Sequence, residues 1–273
     1  MSFAEVMLLP RVWMSAIFSL AGLLLLLRSR VTRNLRLVFM SLAFFVFGAF
    51  VLLPLGKFSE GMGIHPSPIC IVAKPFLFLN AGRPVPVVFL GILASVVVLS
   101  VVGNKLFCGW ACPVGAIQEV CHRIPLREGL KKKLPFGVTN PFRAGLFVVA
   151  VALALASGVS LYDYFNPFDF LHWGFQPLVV VVFAVTLVAG VFIFRPFCYL
   201  VCPLGLVTWV LEHVALTKVK LDRQKCTNCD VCVKLSPCPA VRPILNGSVS
   251  RPDCHACGRC IEVCPEKALR FRA

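Results

Sequence analysis

Acidic residues are scarce in this chain of 273 residues: 12 Asp and Glu stand against 27 Lys and Arg, so the formal net charge is +15. A basic balance can indicate nucleic-acid binding, but ten of these bases lie in two stretches that separate apolar blocks, while other connections between the blocks contain few or none. This alternation follows the positive-inside bias of membrane proteins, so it favours membrane lipid and argues against nucleic acid as the partner. The two stretches contain Arg28, Arg30, Arg33 and Arg36, and Arg123, Arg127, Lys131, Lys132, Lys133 and Arg143.

Motifs for several common cofactors are also missing. The chain has no C-x-x-C-H haem-attachment motif and no nucleotide-binding fingerprint. Its five histidines do not form a pair on opposed apolar segments, so a b-type haem is not expected. We therefore expect no self-contained catalytic site of these kinds, and whether the chain is an enzyme by itself stays open.

Apolar residues, by contrast, are abundant. They make up 59% of the chain, with a mean hydropathy of +0.87, against roughly 45–50% in soluble domains. They form five long segments, which predict an all-α membrane bundle of about five spans. The segments are 12–27, 37–55, 85–107, 142–161 and 177–195.

The first segment is the least certain span because it has only 16 residues, whereas a helix needs roughly 20 residues to cross the bilayer core. It would be long enough if it extended back through Val6–Leu9 with Arg11 at the interface. A cleaved signal peptide is the alternative, although the basic start of such peptides is missing. The basic loops place the N-terminus outside, loops 28–36 and 108–141 inside, loops 56–84 and 162–176 outside, and the C-terminus inside.

A repeat joins two of the segments. FCGWACPVG at 107–115 recurs as FCYLVCPLG at 197–205, 90 positions later. The repeat predicts two parallel helix pairs, each of which brings one C-x-x-x-C-P motif to the inner face. Residues four apart share one helix face, and the proline favours a helix break. A third metal or cluster site, a redox-active dithiol and structural thiols are all open interpretations for Cys108, Cys112, Cys198 and Cys202.

The polar C-terminal stretch is dense in cysteine. Its second run, Cys254 to Pro265, matches the bacterial ferredoxin pattern C-x2-C-x2-C-x3-C-P, in which the fourth cysteine of each run binds the other cluster. We predict a small α+β domain with two [4Fe–4S] clusters, although the first run has five residues instead of three before its last cysteine. Structural zinc fits less well, because zinc sites use paired C-x2-C halves. The predicted ligands are Cys226, Cys229, Cys232 and Cys264 for cluster 1, and Cys254, Cys257, Cys260 and Cys238 for cluster 2.

The outer loop at 162–174, YDYFNPFDFLHWG, combines aromatic and ionisable residues. Aromatic residues at a membrane interface ordinarily serve as anchors. Asp163, Asp169 and His172 are nevertheless candidates to accept protons from a quinol at the outer face.

Taken together, the chain divides into an extra N-terminal transmembrane segment (1–32), a four-helix membrane domain with both C-x-x-x-C-P motifs (33–217) and a ferredoxin domain (218–273). From residue 33 onward it resembles the NapH-type membrane-bound ferredoxins, the group of NapH and MauN, and it is similar to the C-terminal parts of NosR and CcoG. The segment 1–32 is an addition to the usual four-span plan of that family.

The resemblance implies a multi-pass protein of the bacterial inner membrane with a cytoplasmic ferredoxin domain. It further implies a quinol dehydrogenase component that passes electrons from quinol towards a periplasmic redox enzyme, together with other redox-chain subunits such as a ferredoxin-like or cytochrome partner. The alternative function is a maturation factor that reduces a metal or a disulfide during assembly of a redox enzyme.

Overall fold

The computed structural model describes residues 2–49, 56–63, 66–172, 174–247 and 253–272. Within these residues the protein is predominantly helical. Two segments are π-helical, Phe45–Ala49 and Phe107–Ala111, and two are short 3-10 helices, Glu128–Leu130 and Leu161–Tyr164. The α-helices are α1 (Phe3–Met7), α2 (Pro10–Leu27), α3 (Arg33–Phe44), α4 (Lys57–Gly63), α5 (Cys70–Ala73), α6 (Pro75–Asn80), α7 (Val87–Gly103), α8 (Pro113–His122), α9 (Phe136–Ser157), α10 (Phe168–Leu171), α11 (Pro177–Phe192), α12 (Pro196–Leu200), α13 (Pro203–Glu212), α14 (Val231–Leu235), α15 (Val241–Asn246) and α16 (Arg259–Glu262).

The long apolar helices leave large side chains on the protein surface. Leu24 of α2, Val148 of α9 and Val185 of α11 are all more than half exposed. Helices that are apolar all round are typical of lipid surroundings. Two of them, α2 and α9, are both long enough and apolar enough to cross a membrane, while α7 and α11 have 17 and 16 residues. The protein is thus a helical membrane protein, with two helices of full span length among the described residues.

Several predicted spans have different limits in the structure. The segment 85–107 is helical only to Gly103, because Asn104 and Lys105 adopt left-handed conformations (φ 54° and 61°). The segment 177–195 ends at Phe192, shortly before the left-handed Arg195. In 37–55 the helix passes into the π-helical segment, and residues 50–55 lie outside the described part of the chain. The fourth segment starts earlier than expected, at Phe136.

The backward extension of the first segment is wrong. The helix α1 is separate and ends at Met7, and α2 begins with Pro10 at its first position. Proline is well tolerated at the first position of a helix but not in its interior. The chain therefore breaks at Leu8–Leu9, and α2 alone, with 18 residues, supplies this span.

The two halves of the membrane domain interlock. In the first half α3 packs on α8, and in the second α9 packs on α12 and α13. Across the halves, α11 packs on α8 and α7 packs on α13. This exchange places the two C-x-x-x-C-P segments side by side.

The cysteine-rich tail is closed by a two-stranded antiparallel sheet. Strand β1 (Lys218–Leu221) pairs with β2 (Leu269–Arg272) in a register that places Lys218 opposite Arg272. The first strand precedes the first cysteine run and the second follows the last, so the sheet ties the ends of the module together. The short helices α14, α15 and α16 lie between the strands, which makes this a small α+β unit.

Candidate cysteine-cluster site

The two C-x-x-x-C-P motifs have the same order of backbone elements: a short helical segment, an extended cysteine and a new helix. Cys108 lies in the π-helical segment and Cys198 in α12. The second cysteines, Cys112 and Cys202, are extended residues (both with ψ 116°) that precede α8 and α13, each of which begins with proline. The expectation that both cysteines of a motif share one helix face is therefore wrong. The proline starts a new helix, and the second cysteine stands at the break.

The structure brings the four motif cysteines together. Cys112 is close enough to interact electrostatically with Cys108, Cys198 and Cys202. Each of the helices α8 and α13 also starts at one of these cysteines, so its unpaired N–H groups and positive dipole end lie beside the sulfur atoms. The helix starts favour thiolates, whereas burial and the neighbouring thiols raise the pKa of Cys112.

Two polar side chains reach across the repeat to the opposite motif. The amide Nε2 of Gln118 on α8 lies 3.7 Å from Sγ of Cys198, and Oγ1 of Thr208 on α13 lies 3.9 Å from Sγ of Cys108. Gln118 and Thr208 are themselves 90 positions apart. The repeat is thus a pseudo-two-fold arrangement in which each half contacts the cysteine of the other.

A buried carboxylate joins the two halves. Glu119 on α8 accepts hydrogen bonds from Arg36 (2.6 Å) and from Arg195 (2.6 Å), and all three side chains are buried. Burial alone would raise the pKa of the Glu119 carboxyl, but the two guanidinium groups hold it far below its usual value. Arg195 also donates to the carbonyl oxygen of Cys108 at 2.6 Å. The carboxylate therefore positions Arg36 and Arg195, which both donate to backbone carbonyl oxygens of the first motif.

A second buried carboxylate comes from the tail. Asp253 forms ion pairs with Arg143 of α9 (2.8 Å) and with Lys105, and all three side chains are at most 1% exposed. The two cations lower the pKa of Asp253 against the effect of its burial. Arg143 also donates to the carbonyl oxygen of Cys198 at 2.9 Å. The tail is thereby attached to the same bases that hold the second motif.

The charges around the motif cysteines suit an anionic group. Four buried bases face three buried carboxylates, since Glu212 is also buried, so positive charge is in excess before any thiol ionises. Uncompensated buried charge is costly. A [4Fe–4S] cluster with four thiolate ligands is negative overall, so the donor set and its surroundings fit such a cluster. The bases are Arg36, Lys105, Arg143 and Arg195.

The tail cysteines also form two groups. All four cysteines predicted for cluster 1 line one small cavity, together with Leu221, Leu245 and Leu269. In the other group, Cys254 interacts electrostatically with Cys238, Cys257 and Cys260. The two groups adjoin, because Cys260 also interacts with Cys232. The structure thus brings together the cysteines of each predicted set, and their assignment to two clusters stays a prediction.

Within the described residues, no three Cys, His, Asp or Glu side chains meet as ligands of one metal ion. In a [4Fe–4S] cluster each thiolate binds a different iron atom, so the sulfurs surround the cluster and do not meet at a point. A single zinc ion, by contrast, needs four ligands that converge on one point.

The loop that carries the cluster 2 cysteines is docked directly on the membrane motifs. The indole Nε1 of Trp110 donates to the carbonyl oxygen of Ala256 at 3.0 Å. The hydroxyl of Tyr199 donates to the backbone carbonyl oxygen of Asp253 at 3.1 Å. A Cβ atom at Gly109 would lie only 2.2 Å from the carbonyl oxygen of His255. This close approach requires glycine at position 109 and brings the tail loop against the first motif.

The predicted outer-loop residues lie in the short helical connection between α9 and α11, where Asp163 and Asp169 interact electrostatically. Asp163 forms an ion pair with Lys74 at 3.2 Å, and Asp169 accepts from Asn166 at 2.6 Å. Burial, followed by the charge of Asp163, raises the pKa of Asp169. His172 ends α10. A partly buried carboxylate with a raised pKa is a better proton acceptor than a solvated one.

Sequence reasoning missed the buried bases and their carboxylates. Lys105 and Arg195 each stand three residues before the first cysteine of a motif and are 90 positions apart. An extension of the repeat by two residues towards the N-terminus would have identified both. Asp253 and Glu119 give no such signal, because their partners are distant in the chain.

Replacement of Cys257 with serine should remove cluster 2 and leave cluster 1 largely in place, since Cys257 belongs to one group of ligands only. The expected result is a loss of about four iron atoms per chain, because a cubane holds four. Iron analysis and low-temperature EPR of the anaerobically purified protein measure this. Loss of both tail clusters together, or of neither, would contradict the assignment of ligands.

Comparison with known protein families supports the iron–sulfur assignment. A model described as a 4Fe-4S binding domain matches residues 85–135 and 175–222, which contain one C-x-x-x-C-P motif each. A second model of the same description matches residues 249–270, the second cysteine run of the tail. The chain therefore carries ferredoxin-type 4Fe-4S domains.

Several curated proteins with similar sequences are described as ferredoxin-type proteins. The chain is 30% identical to the ferredoxin-type protein NapH of Haemophilus influenzae over 70% of its own length and 71% of that protein. It is 27% identical to NapH of Escherichia coli K12, over 82% and 84% of the two chains. It is 30% identical to the methylamine utilization ferredoxin-type protein MauN of Methylorubrum extorquens, over 70% and 68%. No solved structure matches. Since the similarity extends over most of both chains and includes the cysteine motifs, the chain belongs to the family of NapH-type membrane-bound ferredoxins.

Proposed function

We propose that this protein is a membrane electron-transfer subunit that takes electrons from a quinol and passes them, by way of a partner subunit, towards a periplasmic redox enzyme. The observation that carries the proposal is the contact between the cluster 2 loop and the membrane motifs. Trp110 and Tyr199, from the two halves of the membrane domain, both donate to carbonyl oxygens of that loop. Three cysteine groups thus adjoin one another from the membrane domain to the tail.

Three [4Fe–4S] clusters would occupy these groups, each accepting and releasing one electron at a time. Those in the tail would be held by the two ferredoxin sets, and the third by the cysteines of the repeat. The 4Fe-4S domain matches over both halves of the repeat support this third site, as do the buried bases that offset its charge. The third set is Cys108, Cys112, Cys198 and Cys202.

The quinol end of the pathway is proposed at the outer loop. Oxidation of a quinol releases protons as well as electrons, so a base must lie beside it. Asp169 suits this role because its pKa is raised, and Asp163 and His172 lie in the same loop. Tyr162, which is 2% exposed, connects this loop to the motifs, since its phenol lies within electrostatic range of Cys202.

The orientation that we propose places the N-terminus and loop 162–174 outside and the tail in the cytoplasm of a bacterium. The basic loops support it through the positive-inside bias. A cytoplasm-active reporter should be active when fused after Ala273, and a periplasm-active reporter when fused after Gly174. The opposite pattern would reverse the orientation and the direction of electron flow.

The function is tested by mixing the purified protein, in lipid nanodiscs and with oxidised clusters, with a reduced quinol under anaerobic conditions. We expect the visible absorbance of the clusters to bleach, and the replacement Asp169→Asn to slow the bleaching by roughly tenfold or more, within the range typical of general-base catalysis. Dithionite should reduce wild type and variant alike. Clusters that dithionite reduces but quinol does not would contradict the proposal and favour a maturation role.

A further inference from the structure

A large basic cleft lies between the membrane domain and the tail. It encloses about 710 Å³. Its walls come from the start of α3, the end of α8 and the loop that follows it, the end of α14 with the turn after it, and α16. Seven bases line it, namely Arg33, Arg123, Lys131, Lys132, Lys133, Lys234 and Arg259.

The positive charge of the cleft is poorly compensated. Among the described lining residues, the one carboxylate is Glu119, which pairs with Arg36, Arg195 and the lining base Arg123. Of the other lining bases, Arg259 pairs with Glu262. Lys131 and Lys133 donate to backbone carbonyl oxygens of His122 and Val233, which carry no charge. Burial and nearby Arg33 lower the pKa of Lys131. The cleft therefore holds more positive charge than its own residues neutralise.

The cleft also reaches a cysteine of cluster 2. Cys257 forms part of its wall, next to Arg259. Clefts lined by charge of one sign attract partners of the opposite sign and raise their association rates by 10- to 1,000-fold. An anionic partner held here would lie directly beside one of the three cysteine groups.

We infer that this cleft is the docking site for an acidic one-electron carrier protein, which exchanges electrons with the cluster held by Cys257. The inference rests on the proposed function, because it gives that electron pathway its cytoplasmic end. The exchange moves a single electron: the carrier is oxidised as the cluster is reduced, or the reverse, and no bond or proton changes. A protein fits better than a dinucleotide, since a dinucleotide exchanges two electrons as hydride and a cluster takes one.

The test uses the full-length protein in nanodiscs of neutral phosphatidylcholine, with an acidic [2Fe–2S] ferredoxin as the probe. The double replacement Lys132→Glu with Lys234→Glu should weaken ferredoxin binding by at least about tenfold at low salt, and the binding of wild type should weaken steeply as salt is added. The matched control is Arg270→Glu with Arg272→Glu, which makes the same change of charge on the exposed side of β2, outside the cleft. This control should stay within about twofold of wild type.

Reduction of the clusters by quinol is measured on the same samples. It should be unchanged in Lys132→Glu with Lys234→Glu, so that failure of docking is distinguished from failure of the proposed function. Equal effects of the two double replacements would overturn the inference, because they would indicate a general charge effect. It would also be overturned if phosphatidylglycerol in the nanodisc abolished ferredoxin binding to wild type, since the cleft would then serve anionic lipid.

Discussion

Replacement of Asp253 with asparagine should release the tail from the membrane domain. The change leaves Lys105 and Arg143 buried and without their shared carboxylate. Removal of one partner from a buried ion pair costs roughly 3–5 kcal/mol, which is a large part of the stability of a typical domain. We expect fast hydrogen exchange at residues 253–257 and proteolytic cleavage near Thr217 in the variant but not in the wild type.

The matched control for this change is Asp230→Asn. Asp230 also adjoins a tail cysteine and also forms an ion pair, with Arg242 at 3.7 Å, but both side chains of that pair are about half exposed. Exposed pairs contribute only about 0–1 kcal/mol, so the control should exchange and cleave like the wild type. Equal protection in the Asp253 and Asp230 variants would show that the buried pair does not hold the tail.

Replacement of Cys198 with serine should stop quinol from reducing the tail clusters. If the four motif cysteines hold one cluster, loss of any ligand disrupts the site that links the outer loop to the tail. We expect the rate of quinol-driven reduction to fall at least about a hundredfold, which corresponds to roughly 2.7 kcal/mol at 1.36 kcal/mol per tenfold. Dithionite should still reduce the tail clusters, because their own ligands are intact.

The matched control is Cys121→Ser. Cys121 is a partly buried free thiol on α8 that belongs to neither motif. Its replacement should leave quinol reduction unchanged, whereas Cys108→Ser, Cys112→Ser and Cys202→Ser should each resemble Cys198→Ser. If some of the four motif cysteines could be replaced without slowing quinol reduction, that result would contradict a shared four-ligand site and favour separate dithiols.

The sequence was informative where the signal is local or periodic. The spacing of the tail cysteines predicts two ligand groups, and the structure brings the members of each group together. The repeat at a period of 90 predicts the meeting of Cys108, Cys112, Cys198 and Cys202. Both signals arise because tight loops and helix ends impose fixed spacings on the ligands of one cluster.

The remaining features depend on contacts between distant parts of the chain. The ion pair of Asp253 with Lys105 joins residues 148 positions apart, and no local sequence pattern predicts it. Hydropathy also overestimates the length of two spans, 85–107 and 177–195. It counts Phe107 as part of an apolar run, although the chain turns at Asn104 and Lys105 so that a base can lie beside the motif cysteines. In this region the chemistry of the site, not its apolar pattern, decides where the helix ends.

The three-cluster pathway is tested most directly by the iron, sulfide and zinc content of the full-length protein, purified without oxygen. Mössbauer spectroscopy of the same samples identifies the type of cluster. Three [4Fe–4S] clusters predict about twelve iron and about twelve sulfide per chain, with about eight of each in Cys198→Ser, since each cubane holds four of both. The spectrum should contain only [4Fe–4S] components. A wild-type protein with about eight iron that Cys198→Ser does not change, or with zinc in place of iron, would contradict a three-cluster pathway through the membrane.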